Sequence, residues 1–200
     1  MKVLIYVLTV LMVSGLYAQD NKKLKEAKKF QQKLNKEFYS KEESPLSEED
    51  LAAFKGLEFF PIDSNFIVTA KLTFHKNSEP FQMKTTTDRL PVYKLYATAE
   101  FELNGKVYSL EIYQNEKLLL TPEYEDYLFL PFTDQTNGDK SYGGGRYIDL
   151  NIPETDTIVI DFNQAYNPYC AYNPKYSCPI PPKSNHLDTK INAGIMAFDH

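Results

Sequence analysis

YATAEFELNGKVYSLEIY, residues 96–113, contains the strongest fold signal in the chain. Asn104 and Gly105 are typical of a two-residue type I′ turn between antiparallel strands. Such a turn sets the register, which predicts three apolar pairs on one face: Phe101 with Tyr108, Ala99 with Leu110, and Ala97 with Ile112. The other face carries mainly glutamates and is expected to face solvent.

Further strand patterns flank this hairpin on both sides. FIVTAKLTF (66–74) alternates apolar and polar residues, and FQMKTT (81–86) is predicted to return antiparallel against it. Apolar runs at 118–120 and 127–132 predict more strands. Many short strands without alternating long helices indicate a mainly β protein, an antiparallel β-barrel or β-sandwich.

Two N-terminal helices are predicted to precede the β region. Residues 20–40 carry apolar side chains at spacings of three and four among many lysines. The pattern fits a helix docked on the protein, with a basic membrane-surface helix as the alternative. A shorter helix is predicted after Ser47, which is its N-cap, with Asp50 at the third helical position. Leu46 and Leu51 can form a hydrophobic staple around that start.

Residues 1–18 resemble a secretory signal peptide. Lys2 provides the basic start, residues 3–13 are almost all apolar, and residues 15–18 end in a small residue. The apolar run is too short to span a bilayer, and an uncleaved anchor is the alternative. The expected organisation is a signal peptide at 1–18, an N-terminal helix at 19–43 and a single β-rich domain at 44–200. The expected product is exported to the periplasm or cell exterior without a membrane span after cleavage.

The charge of the chain bears on its partners. The formal net charge of −5 becomes −6 when Lys2 is removed with the leader. An acidic domain lacks the positive field that nucleic acid requires, so a nucleic-acid partner is excluded. The sequence leaves open the cofactor, the oligomeric state and whether any reaction is catalysed.

A polar cluster is predicted after the glycine triplet. Strand patterns at 146–152 and 158–162 flank the loop PETDT, which indicates a second hairpin. Matching the apolar faces of the two strands places two polar pairs on the other face: Asp149 with Asp161, and Tyr147 with Asn163.

Two carboxylates directly opposite each other repel, so the predicted Asp149–Asp161 pair needs compensation. A bound divalent cation, a shared proton, or an arginine such as Arg89 or Arg146 would supply it. The alternatives are a register slip of two residues, or surface carboxylates separated by water. Arg146 has the parity of the apolar face, where it caps the edge of the core or reaches a buried acid.

The glycine triplet, residues 143–145, is not a nucleotide-binding fingerprint. Such a fingerprint requires GxGxxG between a strand and a helix, whereas this triplet precedes a strand. A bulge or a close backbone approach is the expected role.

Cys170 and Cys178 are the two cysteines of the chain. An oxidising compartment and the absence of a CxxC spacing favour a disulfide between them. A metal site that includes His186, or a Cys/His nucleophile, is the alternative. No metal site is predicted.

AYNP occurs at 165–168 and again at 171–174, around the first cysteine. Asn before Pro favours an ordered turn. Rings and amides in such a loop suit a polar small molecule, which makes Tyr166, Asn167 and Tyr172 candidate ligand contacts.

Three strings in the chain resemble the bacterial and archaeal family named domain of unknown function 1684: SPLSEEDLAAFKGLEFFP, FLPFTDQTNGDKSYGGGRYIDL and DFNQAYNPYCAYNPKYSCPIPP. The resemblance covers residues 36–194 and implies no particular activity, cofactor or catalytic residue. Two positions depart from the family pattern. Tyr169 stands where a second proline is expected, and Ile195 stands where a glutamate is expected. The second departure argues against an acid-dependent reaction.

These observations support three hypotheses of function. The first is an exported domain that binds a polar small molecule or divalent cation. The second is a hydrolase that uses Asp149 and Asp161 as acid and base, and the third is a structural or partner-binding protein. The candidate ligand-binding residues are Arg146, Tyr147, Asp149, Asp161, Asn163, Tyr166, Asn167 and Tyr172.

Overall fold

A computed structural model describes the backbone of residues 2–198 and the side chains of residues 21–198. The helices are α1 (Lys2–Tyr39) and α2 (Glu48–Ala53). The strands are β1 (Ile67–Phe74), β2 (Phe81–Gln82), β3 (Val92–Leu103), β4 (Lys106–Asn115), β5 (Tyr127–Asp134), β6 (Arg146–Asn151), β7 (Thr157–Asp161) and β8 (His186–Leu187). Short 3₁₀ helices lie in the connections: Ser64–Phe66, Leu118–Leu120, Pro122–Tyr124, Phe162–Gln164, Tyr169–Ala171 and Lys183–Asn185.

The strands form one mainly antiparallel sheet, which confirms the predicted β class. Its order is β6-β5-β4-β3-β1-β7, with β2 added to β3 and β8 added in parallel to β5. The sheet curls into a half-barrel in which β6 and β7 are the two ends. The predicted barrel is thus present as a half-barrel, and the described strands form one sheet instead of the two sheets of a sandwich.

The central hairpin has the predicted register. Asn104 and Gly105 both have positive φ, at 53° and 76°, as a type I′ turn requires. The three predicted apolar pairs of β3 and β4 all form. Between Leu95 and Ala97 the register shifts at a β-bulge. Because a bulge reverses the alternation of side chains, the first part of β3 directs Tyr93 to the opposite face from Ala97.

The predicted hairpin of β6 and β7 is wrong. β6 pairs with β5, where Asp149 lies opposite Phe129. β7 pairs with β1, where Asp161 lies opposite Ile67. The two aspartates are therefore not cross-strand partners, and the predicted pairing of Tyr147 with Asn163 is absent as well. The loop length allows a hairpin, but β6 forms six cross-strand pairs with β5 and β7 forms five with β1.

Two shorter predictions also need correction. The segment at 81–86 does not return against β1; its strand β2 pairs with Val92 and Tyr93 of β3. The apolar run Leu118–Leu120 is a 3₁₀ helix instead of a strand.

The N-terminal helices agree with the prediction in part. α1 buries Ala27 and Phe38 against the domain, which is the docked arrangement. Ser47 caps α2 by accepting the Asp50 N–H at 3.0 Å, as predicted, but α2 has six residues and is little more than one turn. The predicted signal peptide at 1–18 falls outside the residues whose side chains are described. Among the described residues no helix is long and apolar enough to cross a membrane.

The two faces of the sheet pack against different clusters. One face builds the main core from aliphatic residues of every long strand together with Phe101, Phe132 and Phe162. The opposite face carries a smaller aromatic cluster formed by Met83, Tyr93, Tyr113, Phe129 and Tyr147. The aromatic cluster leaves a cavity open beside it.

Gly145 shows why the triplet ends in glycine. Its φ is +93°, and a Cβ atom there would lie 2.7 Å from both the Phe132 carbonyl oxygen and Cγ of Pro181. A Cβ atom on Gly143 would meet nothing closer than 3.8 Å. The close backbone approach predicted for the triplet is confirmed at Gly145.

Gly145→Ala is therefore expected to lower the free energy of unfolding by roughly 1–3 kcal/mol, because it adds backbone strain and a steric clash. Urea denaturation measures the loss. Gly143→Ala is the control and should stay within about 0.5 kcal/mol of the parent. Equal losses in the two variants would contradict the assigned role of Gly145.

Candidate functional site

An aromatic cavity of about 430 Å³ lies between α1, the second face of the sheet and the segment that carries both cysteines. Its volume is within the usual range for small-ligand sites. The wall residues used below are Phe30, Lys33, Leu34, Glu37, Tyr93, Leu118, Tyr127, Phe129, Tyr147, Asp149, Tyr166, Tyr169, Tyr176, Cys178 and Pro179. Eight of these are aromatic rings, and Asp149 is the single carboxylate of the inner wall.

The cavity wall follows from strand alternation. In β6, Ile148 and Leu150 face the main core, so Tyr147 and Asp149 face the cavity. Phe129 of β5 lies directly opposite Asp149, and its ring centroid is 4.8 Å from that of Tyr147. The parity predicted from the sequence is thus correct, although the predicted partner strand is not.

Tyr166 comes from the first AYNP segment. After β7 the chain returns to β6, where Tyr147 and Tyr166 exchange two backbone hydrogen bonds of 2.9 and 3.0 Å. This bridge brings the Tyr166 ring beside that of Tyr147, with the ring planes nearly perpendicular. Phe30 of α1 covers Tyr166 from the other side at 6.4 Å between centroids.

Asp149 is held by two tyrosine hydroxyls. The hydroxyls of Tyr127 and Tyr166 each donate a hydrogen bond of 2.7 Å to Oδ1. Within the described residues, no hydrogen bond reaches the second oxygen, Oδ2. The two hydrogen bonds hold the carboxylate in one orientation and leave its second oxygen available as an acceptor.

No basic side chain of the described residues pairs with Asp149. The side chain of Asp149 is exposed to solvent through the open cavity, but the surrounding aromatic wall partly desolvates it, which raises the pKa of the carboxyl; the hydrogen bonds from Tyr166 and Tyr127 offset part of that rise. Burial and the Asp149 charge likewise raise the pKa of Tyr127, so its hydroxyl stays protonated and remains a donor. At the cavity mouth Lys33 pairs with Glu37 at 3.6 Å, so these two charges largely cancel.

Cys170 and Cys178 are free thiols in the structure, so the predicted disulfide is absent there. The backbone N–H of Cys170 donates to Sγ of Cys178 at 3.2 Å. A hydrogen bond from the Cys178 thiol lowers the pKa of Cys170 to about 6, and the same pairing raises the pKa of Cys178. Cys178 lines the cavity, next to Pro179, whose carbonyl accepts the Tyr147 hydroxyl.

Arg146 is completely buried on the face opposite the cavity. Its Nη2 donates to Oδ2 of Asp134 at 2.7 Å and to the Ile191 carbonyl at 2.9 Å. Its Nη1 donates to the carbonyls of Ala193 and Ile195. Arg146 therefore reaches a buried acid, which is one of the two roles predicted from its strand position, and it does not line the cavity.

Four other predicted site residues are structural. Asp161 accepts the Asn163 N–H at 3.0 Å and thereby caps a 3₁₀ helix. The Asn163 side chain bonds to both backbone groups of Asp63. Asn167 donates to the Met196 carbonyl at 2.9 Å, and the buried Tyr172 ring packs on Phe38. Of the eight candidates, the cavity contains three: Tyr147, Asp149 and Tyr166.

Neither metal alternative has support in the described residues. They contain no group of three or more His, Cys, Asp or Glu side chains able to hold a metal ion. His186 is exposed and its Nδ1 lies 3.0 Å from Oγ1 of Thr133 in the neighbouring strand. The predicted divalent cation therefore has no ligand set here.

The chain matches a known protein family over most of its length. Residues 52–196 match the family described as a protein of unknown function, DUF1684. The chain belongs to this family. A solution NMR structure of an uncharacterized protein of Haloarcula marismortui is 34% identical, with a TM-score of 0.67, over 90% of this chain and 95% of that one. No curated protein matches the chain.

The two departures from the family pattern have different surroundings. Tyr169 lines the cavity and packs against Tyr176 at 5.2 Å between centroids. Ile195 is buried in an apolar cluster with Phe38 and Tyr172. The first departure thus adds a ring to the cavity wall.

Sequence reasoning missed most of the aromatic wall. Tyr93 faces the cavity only because of the bulge in β3, which no sequence signal announced. Tyr127 and Phe129 share the cavity face of β5, and their alternation with Leu128 and Leu130 is visible in the sequence. Phe30 is one of the apolar residues whose spacing predicts a docked α1, but that pattern gives no sign of the cavity that it lines.

The buried arginine can be tested by replacement. Arg146→Met is expected to reduce the free energy of unfolding by about 3–5 kcal/mol, because Asp134 remains buried without its partner. Guanidinium denaturation measures the change. Lys94→Met removes an exposed ion pair with Glu116 and should cost no more than about 1 kcal/mol. A loss for Arg146→Met as small as that of the control would contradict the structural role.

Proposed function

We propose that this protein is an exported domain that binds a small organic cation, a molecule with a protonated amine, in the aromatic cavity. The observation that supports the proposal is Asp149. Its carboxylate has no basic partner among the described residues, and Oδ2 is free to accept a hydrogen bond. A protonated amine supplies both the missing positive charge and the donor.

The aromatic walls favour the same ligand class. Tyr127, Phe129, Tyr147 and Tyr166 surround the carboxylate, and the faces of such rings attract cations that have lost part of their hydration. A strongly hydrated anion would meet the Asp149 charge and find no basic group in the inner wall. The cavity therefore discriminates by charge as well as by size.

The two tyrosine hydroxyls prepare the carboxylate before a ligand arrives. Because Tyr127 and Tyr166 both donate to Oδ1, the side chain of Asp149 is held in one orientation. A preorganised acceptor loses less conformational entropy on binding than a mobile one. This arrangement therefore favours a ligand that donates a hydrogen bond to the second carboxylate oxygen.

The hydrolase hypothesis in its Asp149–Asp161 form is not retained. The structure assigns the two carboxylates to different strand pairs, and Asp161 is occupied as a cap. The export part of the proposal is supported by the composition of residues 1–18 alone.

Isothermal titration calorimetry of the full chain with benzylamine tests the function. Benzylammonium is expected to bind at least about tenfold more tightly than benzyl alcohol, because a hydrogen bond to a charged group adds roughly 1.5–3 kcal/mol. Asp149→Asn should remove this preference. It should not lower the melting temperature, since it deletes a partly desolvated charge and keeps an oxygen acceptor for both tyrosines.

Glu154→Gln is the matched control because it neutralises an exposed carboxylate in the loop between β6 and β7. It should leave benzylamine binding unchanged. Equal affinity for the amine and the alcohol, or unchanged amine binding in Asp149→Asn, would overturn the proposal.

A further inference from the structure

A second concave surface adjoins the aromatic cavity. It is a groove of about 1060 Å³ between the segment at 89–92 and the segment at 115–121. Its apolar walls include Leu90, Val92, Leu118, Leu119 and Leu120. Asp149 lines the aromatic cavity and not the groove.

The cavity and the groove have a common boundary. Tyr93, Leu118 and Pro179 each line both of them. A molecule whose charged group lies at Asp149 can therefore extend past these three residues into the groove without crossing a layer of protein.

The groove exposes apolar side chains to an unusual degree. Leu120 is 84% exposed and Leu90 is 46% exposed, although both are large aliphatic residues. Leu118–Leu120 form a 3₁₀ turn at the surface, so the fold itself does not bury this triple-leucine run. An apolar surface of this kind beside a ligand cavity indicates a binding surface for apolar groups.

The charges at the groove argue for an uncharged occupant. Glu116 is paired with Lys94 at 2.9 Å, and the Arg89 guanidinium donates to the Ser177 carbonyl at 2.7 Å. Lys117 also borders the groove. These groups leave no free carboxylate for a second ammonium, and the lysine repels one.

We propose that the ligand is an amphiphilic amine, with its ammonium group on Asp149 and an unbranched hydrocarbon chain that leaves between Tyr93, Leu118 and Pro179 to lie along the groove. This inference rests on the proposed function, because it assumes that an amine occupies the cavity. It adds the class of the molecule, a single cationic head with a long apolar chain.

Calorimetry with linear primary amines of four to ten carbons, below their micellar concentrations, tests the inference. Butylamine is short enough to remain in the cavity. For the longer amines, each methylene that reaches the groove is expected to raise the affinity about fourfold. 1,8-Diaminooctane should bind more weakly than octylamine, since its second ammonium has no partner in the groove.

The double variant Leu90→Gln, Leu120→Gln alters residues that line the groove and not the cavity. It should remove most of the gain for octylamine and decylamine while butylamine binds as before. Val107→Gln is the control, since Val107 is 61% exposed in the hairpin of β3 and β4 and lines neither surface.

The outcomes separate this inference from the proposed function. If butylamine binding depends on Asp149 but affinity does not rise with chain length, the proposal of an amphiphilic ligand is wrong and the proposed amine site is retained. A gain that persists in the double variant would place the chain elsewhere and also overturn it. Failure of every amine to bind would remove both proposals.

Discussion

The fold depends on one buried cation, Arg146. Burial of a guanidinium disfavours its charge and lowers its pKa, and the Asp134 carboxylate offsets that cost. The two terminal nitrogens also donate to carbonyl groups of the C-terminal segment at 191–195, and the guanidinium lies over the rings of Phe60 and Phe132. Among the described residues its Nε has no hydrogen-bond partner. A single side chain thus ties the end of β5, the start of β6 and the last described segment into one unit.

The position of Arg146 in β6 is linked to that of the cavity carboxylate by the alternation of side chains along the strand. Arg146 and Ile148 face the core, so alternation directs Tyr147 and Asp149 to the other side of β6. The neighbouring Gly145 lets the chain approach β5 closely enough for this pairing. The residues that anchor the fold and those of the candidate binding site are therefore neighbours in the segment YGGGRYIDL and lie on opposite faces of β6.

Structural features that depend on residues close together in the chain are predictable from this sequence, whereas features that depend on distant segments are not. The Asn104–Gly105 turn fixed its hairpin register because both strands meet within two residues. Side-chain parity in β6 was also correct, since it depends on the strand alone. Its partner was not, because β5 competes with β7 across the sheet. The distant carbonyl partners of Arg146, and the contribution of α1 and the β3 bulge to the cavity, depend on tertiary packing that no local pattern encodes.

The state of the Asp149 carboxyl tests the account most directly. Its Cγ resonance can be followed by NMR as a function of pH in the free protein and with saturating benzylamine, using Asp149→Asn to assign the signal. We predict a midpoint above the ordinary value of 3.8 in the free protein, because the aromatic wall partly desolvates the carboxylate and no basic side chain of the described residues pairs with it, and a lower midpoint with the amine. A midpoint at the ordinary value that the amine does not move would contradict it.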